Sequence, residues 1–129
     1  MRAKGFMVAL ILVFSISVPL FAHHGNAVFD SGKVVVLKGT VVKWTYSNPH
    51  LLLTLDVKGD NGEVVQWIVE SQSPTVMYPF GWHKDSFKPG DEVTVRVTPV
   101  KTGRPVGSII DAVTADGTKL AHLRQTNGQ

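Results

Sequence analysis

Two adjacent histidines, His23 and His24, and a third at position 50 are the side chains best suited to chemistry. If the mature chain begins at His23, that residue carries a free α-amine with a pKa near roughly 8. The amine and the Nδ1 of the same imidazole can close a chelate ring on a metal. His24 or His50 can add further nitrogen. An all-nitrogen set of this kind suits copper(II) in tetragonal geometry, whereas magnesium and calcium want oxygen. The opposing reading is a solvated histidine pair with no site at all. His50 follows Asn48-Pro49. Proline fixes φ and biases Asn48 toward an extended shape, and the asparagine side chain can cap a turn. His50 is thus expected at the start of a strand, either as a third ligand or as a corner residue bonded to a backbone carbonyl. His83 and His122 fall in loops and are expected to face solvent.

Three tryptophans accompany them. Trp44 and Trp67 fit a core, because an indole buries a large apolar area. Trp82, between Gly81 and His83, is expected to be partly exposed and available to a ligand. Glu70 ends an apolar run and could face the same pocket as His50. Asn48, Glu70 and Trp82 are therefore candidate ligand-binding residues beside the candidate metal ligands His23, His24 and His50. No spacing singles out an acid/base pair, a nucleophile elbow or a phosphate-binding glycine loop.

The elements that must hold these residues begin with a leader. Arg2 and Lys4 precede Phe6 to Val18, an uncharged run of 13 residues, and Pro19 to Ala22 complete a small-residue exit. This is the pattern of a signal peptide over residues 1–22, and the run is short of the roughly 18–20 residues that span a bilayer. With no twin arginine and no cysteine, the expected route is general secretion to the periplasm or beyond, with no stable membrane span after processing. Cleavage after Ala22 would remove 22 of 129 residues and leave 107, enough for one domain. The formal charge of +3 falls to +1 with the loss of Arg2 and Lys4. No basic run remains, so a nucleic-acid partner is not expected. There is no cysteine, hence no disulfide or thiolate site.

Beyond a His-containing segment at 23–32, residues 33–120 read as strands, with a polar tail at 121–129. KVVVLKGTVVKWTY is rich in β-branched and aromatic residues, with Gly39 as a bend or bulge. Its even positions from Val34 to Tyr46 are mostly apolar, and its odd positions are apolar up to Val41. Both faces are therefore expected to be covered at its start. LLLTLDVK places Leu51, Leu53, Leu55 and Val57 on one face, and Asn61-Gly62 turns it into EVVQWIVE. Ser73-Pro74 reads as the N-cap and first residue of one or two helical turns. Two more strands follow, the last carrying an Asp116-Gly117 turn. Three strands, a short helix and two strands, with a first strand long enough to bend, is the layout of an OB-fold barrel.

Ala22-His23-His24, Phe29-Asp30, Gly39-Thr40-Val41, Asn48-Pro49-His50, Trp67, Glu70, Gly81-Trp82 and Lys88-Pro89-Gly90-Asp91 together resemble a family of small exported bacterial proteins, domain of unknown function 6152. Gly25 and His83 depart from its pattern. The resemblance covers nearly all of the mature chain and implies export and a single β-rich domain, with no activity attached. The leading expectation is a non-enzymatic exported module for a small ligand or a metal ion such as copper. The alternative is a metal-free interaction or envelope-assembly module working through the barrel face, with an envelope protein as partner. A third reading is an enzyme that uses a copper-bound N-terminus for oxidative chemistry.

Overall fold

The computed structural model describes residues 28–121. The leader, His23, His24, His122 and the polar tail beyond position 121 lie outside the described residues. Six strands run in the order β1 (Val35–Thr45), β2 (Leu52–Lys58), β3 (Val64–Glu70), β4 (Glu92–Pro99), β5 (Val106–Val113) and β6 (Lys119–Ala121). A short helix α1 (Pro74–Met77) and a 3-10 turn (Tyr78–Phe80) separate β3 from β4. β1 pairs antiparallel with both β2 and β4, and the sheet order is β3-β2-β1-β4-β5-β6. Parallel pairing of Ile68–Glu70 with Val106–Ser108 then joins β3 to β5. The first five strands thereby close into the OB-type barrel, with the helix between strands three and four. The expected last strand is a hairpin, β5 and β6, turning at Gly117.

β1 shows how one strand serves two neighbours. Its inward positions are Leu37 and Val41, both 2% exposed, whereas Val34 and Val36 are 57% and 55% exposed. The apolar face expected from the even positions is therefore wrong for the first half, and the outer face there is not covered. A register shift between Val41 and Lys43 inserts Val42 as an extra residue, after which Trp44 and Tyr46 pack against the core. The bulge adds one residue and so reverses every later side chain. It falls at Val42, not at Gly39. Gly39 instead permits a close strand approach. A Cβ there would lie 2.8 Å from the Asp56 carbonyl, so only glycine lets β2 come this near.

In β2 the expected phase holds. Leu51, Leu53 and Leu55 are fully buried, and Val57 packs on their cluster. Asn61-Gly62 closes the hairpin, with Gly62 at φ 82°. Ser73 caps α1 by backbone position and Pro74 stands in its first turn. Ser71 is the only buried polar residue among those described, and its hydroxyl has no partner there.

Three stability outcomes are expected from denaturant unfolding. Leu53→Ala should cost about 2–5 kcal/mol, the range for a truncated core leucine. Gly39→Ala should cost about 1–3 kcal/mol, because the new methyl overpacks the β1–β2 contact. Ser71→Ala should be neutral or slightly stabilising, since it removes a buried hydroxyl that makes no bond. A costly Ser71→Ala would show a bonded hydroxyl.

Candidate functional site

His50 is built into the barrel wall by an irregular end to the β2–β3 ladder. Leu52 lies opposite Glu70, so regular antiparallel pairing would have Leu51 and Ser71 exchange two backbone bonds. Only one is made: the Ser71 N–H donates to the Leu51 carbonyl at 2.9 Å. The Leu51 N–H instead reaches the Gln72 carbonyl at 3.0 Å. The Ser71 carbonyl released by this shift accepts the His50 ring, with Nδ1 at 3.0 Å. A carbonyl can only accept, so Nδ1 carries the proton and the neutral ring has its lone pair on Nε2. His50 is thus held at the corner by its own ring, one residue after a cis Asn48-Pro49 peptide.

Glu70 ends the strand that pairs with β2. Leu51 and Val69 point into the core, so Leu52 and Glu70 belong to the outer face. Glu70 is half-buried and stands between Leu52 of β2 and Ser108 of β5. Asn48 is exposed at the same corner. Asn48 and His50 thus precede β2, and Glu70 ends the strand paired with it. Among the described residues no three His, Asp or Glu side chains gather as a metal-holding group.

Trp82 does not join them. It is fully buried, contrary to the expectation of partial exposure. Gly81, at φ 90°, ends the 3-10 turn in the left-handed region and turns the chain inward. The indole then packs near Trp44 and Phe87, with ring centroids at 6.3 and 6.0 Å. Its N–H donates to the Ala121 carbonyl at 2.9 Å, and its own carbonyl accepts the Tyr46 hydroxyl at 3.1 Å. Trp82 closes the helical end of the barrel and ties β6 to it. Trp44 and Trp67 are half-buried against the same core.

His83 also departs from expectation. It is half-buried, with its ring edge-on to Tyr78 at 4.7 Å. A polar cleft of about 330 Å³ lies beside it, between the 81–91 segment and the β5–β6 hairpin. Asp116 lines this cleft, and composition alone gives no sign of its role. Its carboxylate accepts the Thr114 hydroxyl and the Thr118 N–H, the latter at 3.0 Å. The Thr114 bond first, then those from Thr118, hold its pKa down at about 2.

Residues 10–109 match the family of unknown function DUF6152. The chain belongs to this family. The match spans His23, His24, His50, Glu70 and Trp82, and it ends within β5. DUF6152 membership agrees with the sequence resemblance and carries no activity with it. No curated protein matches the chain.

The Asp116 turn gives a pH prediction. Because its folded pKa is depressed, its bonds stabilise the hairpin fully above the unfolded value near 3.8 and lose that effect as pH falls through about 2. An NMR titration should place the Asp116 carboxyl midpoint near 2. A midpoint near roughly 4, the ordinary aspartate value, would mean the Thr114 and Thr118 bonds do not persist in solution.

Proposed function

We propose that this DUF6152 protein is an exported, non-enzymatic binding module for a divalent metal ion, copper(II) foremost, held by His23, His24 and His50. The observation that carries the reading is the His50 Nδ1–H bond to the Ser71 carbonyl, 3.0 Å long. Histidines that hold metals donate their other ring N–H to a carbonyl or carboxylate, which fixes the tautomer and ring direction. Asn48, two residues earlier, and Glu70, at the end of the paired strand, are the polar groups this reading would recruit. The export signal supplies the compartment, and cleavage after Ala22 would supply the α-amine at His23.

The test compares the processed protein with a form carrying one extra methionine before His23, with His50→Ala and with His122→Ala. Calorimetric titration with copper(II), read alongside paramagnetic resonance, should show tight binding to the processed protein. The methionine-extended form and His50→Ala should each bind at least about tenfold more weakly, equivalent to about 1.4 kcal/mol. His122→Ala should bind normally. Binding should weaken as pH falls, since amine and imidazole coordinate only when deprotonated. If the extended form and His50→Ala both bind like the processed protein, the amine and His50 form no site and the histidine pair is only an incidental copper scavenger. The metal-free interaction module would then take its place.

A further inference from the structure

The barrel closes over a short stretch, and the remainder of β3 is an open edge. Even-numbered β3 residues direct their backbone groups away from β2, as the Ile68 N–H shows by donating to the Pro105 carbonyl at 3.0 Å. By the same alternation, the N–H and C=O of Val64 and Gln66 point outward, before the β5 pairing that starts at Ile68. No strand among the described residues pairs with them on that side. The side chains do nothing to discourage a partner. Val64, Val65 and Ile68 are 60%, 43% and 45% exposed, and no charge occurs from Val64 to Val69. Sheet edges are ordinarily blunted by lysine, proline or a covering segment. The start of β1, which runs beyond the end of β2, carries a lysine of this kind in Lys38.

We propose that this edge is a self-association surface, on which β3 of a second copy pairs antiparallel about a two-fold axis at Val65. The arrangement is self-complementary. Val64 faces Gln66 of the other copy, and both have outward-pointing backbone groups, so the two symmetric pairs exchange four hydrogen bonds. The two copies of Val65 meet at the axis as a non-hydrogen-bonded pair, where side chains come closest. Charge agrees with this register. Asp60 and Glu63 are exposed at the β2–β3 turn, next to one end of the open stretch. Lys101 and Arg104 are exposed in the β4–β5 loop, next to the other end, where Pro105 holds Ile68. None of these four forms an ion pair among the described residues, where the salt bridges are Lys33–Asp30 and Arg96–Asp111. Antiparallel pairing brings the acidic turn of each copy beside the basic loop of the other. A parallel arrangement would set like charges together. The surface needs no metal and shares no residue with the proposed histidine site.

Sedimentation velocity of the processed protein, over concentrations up to about 1 mM, tests this, because an interface this small belongs to the weak, reversible class. The expected result is a monomer–dimer equilibrium that weakens as salt is raised. Val64→Lys places a charge on the edge, and Gln66→Pro removes one outward N–H without breaking a backbone bond to β2, at the loss of the exposed Gln66 side-chain bond to Asp56. Each should weaken the dimer by about tenfold or more. Thermal melting of Val64→Lys should match the parent, which separates loss of pairing from loss of fold. Arg104→Glu should also weaken the dimer, and adding Glu63→Lys should restore it. A protein that stays monomeric throughout overturns the proposal. So does a dimer that ignores Val64→Lys and Gln66→Pro.

Discussion

The parallel contact between β3 and β5 is the constraint on which the other features depend. It comprises three register pairs, Ile68–Val106, Val69–Gly107 and Glu70–Ser108. Gly107, in the middle of that contact, also lets β5 lie close to β4 on its other side: a Cβ there would lie 3.0 Å from Val97 and 3.1 Å from the Thr98 carbonyl. With the wall closed at that point, inward residues of β2, β4 and β5 meet as one core. Leu53, Leu55, Val95 and Val97 are each fully buried within it. Apolar burial on this scale is what allows a chain without cysteine to hold its fold.

The two ends of β3 shape the surface differently. Toward the helix, β3 ends at Glu70, and the ladder shifts so that the Ser71 carbonyl turns to His50. Toward the hairpin, Val64 and Gln66 lie beyond the reach of β5. A longer β3–β5 ladder would cover that edge. The open strand follows from the short β3–β5 pairing, and the histidine corner from the irregular end of the β2–β3 ladder. Trp82 completes the enclosure at the helical end, where the cost of burying its indole N–H is offset by the bond to the Ala121 carbonyl.

Much of this is legible in the sequence where local chemistry and period agree. Leu51, Leu53 and Leu55 alternate without interruption, Asn61-Gly62 supplies a turn, and Ser73-Pro74 starts a helix. Those signals fix the hairpin, the helix and the OB-type order. The phase of β1 is not legible, because a single inserted residue at Val42 inverts it and Val-Val-Lys carries no mark of a bulge. Trp82 is misread for a related reason. Its burial follows from the direction in which Gly81 turns the chain, which composition does not encode. For His50 the sequence presents a ligand or a carbonyl-bonded corner. The carbonyl bond is present, and a metal-holding histidine makes the same bond, so the two readings are not exclusive. That the carbonyl belongs to Ser71 depends on a missing ladder bond that spacing cannot show.

Amide hydrogen exchange by NMR, on protein dilute enough to be monomeric, tests the short closure most directly. The Ile68 N–H, bonded to Pro105, and the Glu70 N–H, which faces β5, should exchange slowly, near the rate of global unfolding. The Val64 and Gln66 N–H groups should exchange orders of magnitude faster than those of Val65 and Trp67, which face β2. Protection of Val64 and Gln66 equal to that of Ile68 would contradict the account, because β3 would then be paired along its whole length.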